Sequence, residues 1–285
     1  MGKLLVRARN PYWDNLKGIL IALVVLGHFF WEYWGLGLAG YLVCFIYLFH
    51  MPAFIFVAGF LSNSENARSM QSVKRIGIIY LIFNTAMMIF SFVIFNTPFK
   101  LLTPYYSTWF LISLILWRVS IKYLEKIQHI VFISLLAAIL LSLWSDVSNV
   151  MAFARTVVFL PFFISGYLLP EEKIYGFINN RKPSDYIKGL SVLLITVILS
   201  ILFINKYAGL SESLVLMNSY RHWSEFIIRI GIFCLAALMI ITLIILIPAK
   251  PLPLFCKWGR NSMSIYVLHR FITLILAKRF PADNY

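Results

Sequence analysis

Three of the five histidines, His28, His50 and His269, lie inside runs of apolar residues, where an ionisable side chain is costly unless paired or wetted. The run around His28 is richest in such groups, with Asp14 and Lys17 before it and Glu32 after it. Lys17 and His28 are eleven residues apart. That is close to three helical turns, so the two share a helix face about 16 Å apart, His28 near mid-bilayer and Lys17 at the rim. Glu32 follows His28 by one turn on that face. A carboxylate there is expected to accept from one imidazole nitrogen, which fixes the tautomer and leaves the other nitrogen as a base. The competing reading is a histidine bonded to a neighbouring helix, with Glu32 at the interface.

His50 sits about 14 Å into its own run, measured from the opposite rim, which brings it near the level of His28. Met51 and Pro52 follow it. An interior proline frees a backbone carbonyl, and membranes tolerate this beside protein or a cavity. Two histidines at one depth therefore point to a shared polar cavity, against the alternative of a packing kink. His269, with Arg270 beside it, falls about 11 Å from one rim of the last run. Arg75, Arg155 and Arg229 enter their runs from the rims, where snorkelling to the interface is the rival reading and the preferred one for Arg229. His129 and His222 fall in loops and read as solvated.

The elements that position these groups are legible from composition. Of 285 residues 61% are apolar and 13% charged, too few charges to cover a soluble domain of this length. The apolar residues gather into nine blocks, at 18–34, 41–61, 76–95, 105–121, 130–144, 152–169, 189–204, 226–247 and 262–277. A bilayer core asks for about 20 apolar residues per helix. The expectation is an all-α, polytopic transmembrane bundle of about nine helices, with residues 1–285 forming one membrane-embedded domain. No internal repeat and no linker divides it.

Basic residues alternate between the loops. One set, from Lys3, Arg7 and Arg9 through Arg68, Lys74, Arg75, Arg118, Lys122 and Lys126 to Lys250, Lys257 and Arg260, holds 16, and the other holds 5. The positive-inside rule then places the N-terminus in the cytoplasm and explains the net charge of +14 without a nucleic-acid partner. Cys44, Cys234 and Cys256 form no disulfide framework and no metal spacing. The first block continues into Trp31, Glu32, Tyr33 and Trp34 and carries His28, so it reads as a retained helix and not a cleaved signal.

The run Tyr12-Trp13-Asp14-Asn15-Leu16-Lys17-Gly18, then Leu26-Gly27-His28, resembles the opening of the membrane acyltransferase-3 family. Phe49-His50-Met51-Pro52-Ala53-Phe54, leading to Ala58-Gly59-Phe60-Leu61, resembles that family's second helix. Trp109-Phe110-Leu111, Arg155 with Leu160-Pro161-Phe162-Phe163, and Gly259-Arg260-Asn261-Ser262 before His269 continue the likeness in order. Within that family the chain resembles the fucose 4-O-acetylase-like branch.

The resemblance implies transfer of an acyl group, usually acetyl, from acyl-CoA to a hydroxyl of a sugar or cell-envelope glycan, in the cell membrane. It makes His28 the catalytic histidine, and the residue reading above adds Glu32 and His50 to the catalytic set. Lys17, Asp14, Arg75, Trp109, Arg155, Asn261 and His269 become candidates to bind donor or acceptor, with no metal. Two departures stand out. The family often carries Arg-x-x-Arg after the second helix, where this chain has Ser72 before Arg75. The family also has ten helices, so a nine-helix chain would lack the last. The rival class is a transporter or flippase whose histidines relay protons or bind an anionic solute; a third reading is an inactive relative.

Overall fold

In a computed structural model describing residues 10–34, 37–141, 150–207 and 226–281, every regular element is a helix. Twelve α-helices follow in order: α1 (Pro11–Trp31), α2 (Gly37–Leu61), α3 (Glu65–Arg68), α4 (Met70–Phe95), α5 (Trp109–Leu124) and α6 (Ile130–Leu141), then α7 (Phe153–Tyr167), α8 (Glu171–Asn179), α9 (Pro183–Lys206), α10 (Phe226–Leu246), α11 (Pro253–Arg260) and α12 (Ser262–Arg279). Over their described residues all nine apolar blocks fall on helices: α1, α2, α4, α5, α6, α7, α9, α10 and α12. The chain is an all-α, membrane-type helix bundle.

The expected count of about nine crossings reads differently in the structure. Among the described residues five helices, α1, α2, α4, α9 and α10, are long and apolar enough to cross a bilayer, or six if α7 and α8, bent by 69° at their break, form one span. At 1.5 Å per residue the 16 residues of α5 fall short of the hydrocarbon thickness, and α6 is described over 12 residues, to Leu141. α12, at 18 residues, carries His269 and Arg270 at its middle. α5 is the more buried of these, whereas α6 exposes Phe132, Leu136 and Leu140 and α12 exposes Leu268, Ile272 and Ile275.

α2 is the central pillar, with 78% of its apolar window buried, against 17% for α4 and 22% for α9. Leu81, Ile82, Leu194 and Leu202 are among the large apolar side chains that α4 and α9 expose, the face a bilayer would cover. α1 packs against α2, α11 and α12, while α2 also carries α7 and α10. Two contacts depend on missing side chains. A Cβ at Gly59 would overlap the Phe163 carbonyl, and one at Gly166 the Phe56 carbonyl, so α2 and α7 touch backbone to backbone.

Hydrogen bonds define the two ends of the bundle. At one end the start of α1 meets α8 through Trp13 and Tyr175, and α10 through Tyr12 and the Ile244 carbonyl. There Arg68 reaches both Tyr167 and Glu125. At the other end Tyr33 meets the Phe280 carbonyl, Tyr41 meets Asn205, and Lys278 meets the Ile94 carbonyl. The first set joins segments of the strongly basic loop group and the second set segments of the weakly basic one. Lys3, Arg7, Arg9, Trp144, Arg221 and His222 lie outside the described residues.

Candidate active site

His28 occupies the last turn of α1, whose final residue is Trp31. It therefore lies nearer that end of the helix than the middle expected from sequence. His269 of α12 meets it, Nε2 to Nδ1, at 2.9 Å. The Nδ1 of His269 lies 2.7 Å from the Tyr266 carbonyl and 3.1 Å from that of Ile265. A carbonyl only accepts, so this nitrogen carries the proton and Nε2 of His269 is the acceptor. Nδ1–H of His28 then donates to it, and Nε2 of His28 is left unprotonated. A chain from the α12 backbone thus sets the tautomer of a histidine on α1.

Arg270, the next residue along α12, is 6% exposed and forms an ion pair with Glu32 at 2.8 Å. It also donates to the His28 carbonyl at 3.3 Å. This corrects the role expected of Glu32. A guanidinium is a stronger partner for a carboxylate than a neutral imidazole, so Glu32 holds Arg270 while His269 orients His28.

α2 contributes Tyr47, His50 and Met51, spaced for one helix face. His50 is 1% exposed and donates from Nδ1 to the Ile46 carbonyl at 2.8 Å; its Nε2 has no partner among the described residues. α7 contributes Arg155 and Phe159 one turn apart. The start of α7 is pinned to α5, since Trp117 donates to the Thr156 carbonyl at 2.9 Å and the Ser113 and Thr156 hydroxyls meet at 2.7 Å. Arg155 lies with its guanidinium 5.4 Å from the Trp109 ring and has no carboxylate partner among the described residues.

These side chains enclose a cavity of about 320 Å³, lined by His28, Tyr47, His50, Trp109, Arg155 and Arg270 among others. Among the described residues its charges do not cancel: Glu32 neutralises Arg270, which leaves Arg155 as a surplus cation. A cationic hollow with an unprotonated imidazole can accept a proton from a hydroxyl and stabilise a developing oxyanion.

Of the residues singled out from sequence, the structure brings His28, His50, Trp109 and Arg155 to the cavity wall, with His269 and Glu32 directly behind it. Asp14, Lys17, Arg75 and Asn261 do not reach it. Asp14, 2% exposed, pairs with Lys17 at 3.0 Å and Arg260 at 3.5 Å at the other end of α1. Asn261 donates to the Lys257 carbonyl where α11 meets α12, and Arg75 is exposed on α4. A substrate-binding role for Asp14 does not fit this geometry, because its carboxylate is held by two cations and would repel an anionic donor.

Tyr47, Tyr106, Tyr266 and Arg270 also line the cavity, and the sequence reading names none of them as a site residue. The four-residue spacing of Tyr266 and Arg270 around His269 was the available signal. Among the described residues no group of three or more His, Cys, Asp or Glu is placed to hold a metal ion.

Comparisons with curated proteins and with solved structures give no match. A family model described as an acyltransferase domain, that of the acyltransferase-3 family, matches residues 10–284, nearly the whole chain. The chain belongs to the membrane acyltransferase-3 family, and it is an acyltransferase.

Proposed function

We propose that this chain is a membrane-bound O-acyltransferase that moves an acyl group, acetyl by preference, from acyl-CoA to a hydroxyl of a sugar or cell-envelope glycan. It works as one membrane-embedded domain in the cell membrane, with its N-terminus in the cytoplasm. The observation that carries the reading is the unprotonated Nε2 of His28 on the wall of a cavity that also holds Arg155, which has no carboxylate partner among the described residues.

In this mechanism Nε2 of His28 takes the proton of the acceptor hydroxyl as its oxygen attacks the thioester carbonyl. The carbonyl oxygen becomes an oxyanion, and Arg155 stabilises it in a low-dielectric site. The intermediate then collapses, the carbon–sulfur bond breaks, and the CoA thiolate takes the proton back from Nε2. Ester and free CoA thiol are the products. His269 keeps its acceptor nitrogen on Nδ1–H of His28 throughout, so the imidazolium forms without losing its orientation. His50, with its bare Nε2, accepts a further hydroxyl of the acceptor.

The donor's phosphates meet Lys17 and Arg75 at the basic end of the bundle, whose shape Asp14 and Asn261 maintain. The test uses purified chain in nanodiscs with radiolabelled acetyl-CoA and isolated cell envelopes as acceptor. Label should enter glycan with release of CoA, and His28→Ala should abolish both. If no CoA is released but proteoliposomes take up solute, a transporter replaces this reading.

A further inference from the structure

A second hollow of about 270 Å³ adjoins the first at the end of the bundle where α1 terminates. It is formed by the loop between α4 and α5, lined by Thr97, Pro98, Lys100, Thr103 and Tyr105, and it shares Pro104 and Tyr106 with the cavity at His28. We propose that this hollow is the acceptor subsite, binding the sugar ring next to the one being acylated, with Tyr106 as the wall between the two. The proposal rests on the transferase reading above and adds where the acceptor sits.

The hollow is built by the fold. Tyr105 accepts on its hydroxyl from the Lys100 backbone at 2.9 Å and donates to the Pro98 carbonyl at 2.9 Å, which closes the loop on itself. Asn84 of α4 accepts from the Tyr105 backbone at 2.9 Å and from the Thr108 hydroxyl at 2.8 Å. On the other side Tyr266 donates to the Ser107 carbonyl at 2.5 Å, and Met151 donates its backbone N–H to the Leu102 carbonyl at 2.8 Å. Between these anchors Tyr106 is held at φ 48°, a left-handed conformation that is unfavourable for a bulky side chain. Its ring lies 4.9 Å from the guanidinium of Arg270, the partner of Glu32 behind His28. Surrounding structure therefore forces one aromatic side chain to stand at the junction of the two hollows.

The lining chemistry selects a neutral, ring-shaped ligand. Pro98, Pro104, Tyr105 and Tyr106 present flat apolar faces, which suit the C–H face of a pyranose. Thr97 offers a buried hydroxyl oxygen with no partner among the described residues, and Thr103 a second hydroxyl, both suited to sugar hydroxyls. Among the described residues Lys100 is the single cation in the lining, too little to hold the phosphates of a CoA nucleotide. A hydroxyl placed at Nε2 of His28 has the rest of its glycan to accommodate, and the hollow across Tyr106 continues the cavity.

The test compares KM values for the methyl glycoside of the sugar accepted by the wild type, for the matching disaccharide glycoside, and for acetyl-CoA. Thr97→Val keeps shape and removes the hydroxyl; Tyr106→Ala removes the wall. Thr97→Val should raise the disaccharide KM about fivefold or more and leave the monosaccharide and acetyl-CoA values within twofold. Tyr106→Ala should raise both acceptor values and spare acetyl-CoA. Unchanged disaccharide KM in Thr97→Val, with wild-type thermal stability, refutes the subsite. A rise confined to acetyl-CoA hands the hollow to the donor instead. If the wild type releases no His28-dependent CoA with any acceptor, the transferase reading itself fails and the subsite falls with it.

Discussion

The two ends of α1 carry similar polar residues to opposite effect. At its start Asn15, fully buried, donates to the carbonyls of Pro248 and Lys250 at 3.0 and 2.8 Å. It accepts from the Leu252 N–H and the Cys256 thiol, each at 2.9 Å. Asp14 beside it is shared between Lys17 and Arg260. A Cβ at Gly18 would overlap the Phe255 carbonyl and one at Gly259 the Asp14 carbonyl, so α11 lies flush on this end of α1. At the other end His28 has one nitrogen committed to His269, and its neighbours His50 and Arg155 keep unused bonding capacity facing a cavity. Polar groups inside a membrane protein thus sort by saturation. Where every lone pair and proton is used, the group holds helices together; where some are left over around a hollow, the group is available for chemistry.

The sharpest way to break this contrast is to truncate one residue from each end. His28→Ala should lower kcat/KM by about 10³-fold or more while the melting temperature stays near wild type. Asn15→Ala should do the reverse. It strands two carbonyls and an N–H at a helix junction, a loss on the order of 3 kcal/mol, with kcat per folded molecule nearly unchanged. Activity loss in Asn15→Ala beyond the loss of folded protein, measured by size-exclusion chromatography in detergent, would erase the distinction.

Within the unsaturated end, Arg155 and His269 should separate by kinetic signature. Arg155→Ala removes the surplus cation and should cost about 10²-fold in kcat, with Arg155→Lys recovering part of it. His269→Ala should cost about tenfold to 10²-fold. His269→Gln, whose amide oxygen can still accept from Nδ1–H of His28, should recover more than His269→Ala does. A histidine serving only as packing would show no such rescue.

Much of the bundle was legible because lipid makes composition speak. An apolar block must be helical to satisfy its backbone, so nine blocks gave nine helical segments, and His28, His50 and Arg155 within them marked the cavity wall. What composition could not show is pairing across the chain. The partner of Nδ1 in His28 is 241 residues away, whereas Glu32 is one turn away. Proximity in sequence favoured the wrong neighbour. Asp14 misled in the same way. It shares the helix with His28, but α11, a short amphipathic helix with no apolar block of its own, claims its end of α1. The left-handed Tyr106 gave no signal, since nothing local requires it.

The Glu32–Arg270 pair tests how far the unsaturated end depends on its own ion pair. Glu32→Gln frees the guanidinium beside His28 and adds a second surplus cation to the cavity. It should lower kcat about tenfold, by drawing Arg270 off the His28 carbonyl and the Tyr106 ring. The double variant Glu32→Gln/Arg270→Gln should fare better than the product of the two single losses, since coupled partners are not additive. Strict additivity in that cycle would detach the pair from the site.

The smallest expected effect lies at the saturated end. Cys256 donates its thiol to Asn15, but Oδ1 of Asn15 also accepts from Leu252, so Cys256→Ala leaves that oxygen with one strong partner. A thiol is a weak donor, and its loss should cost about 1 kcal/mol, mostly from the small void beside Pro11. Cys256→Ser supplies a stronger donor in nearly the same place and should hold the melting temperature at wild type. Neither variant should alter kcat, because the Asn15 network spends all its bonds on the fold. A kcat that fell in Cys256→Ser at unchanged stability would mean that this end of α1 also transmits to His28.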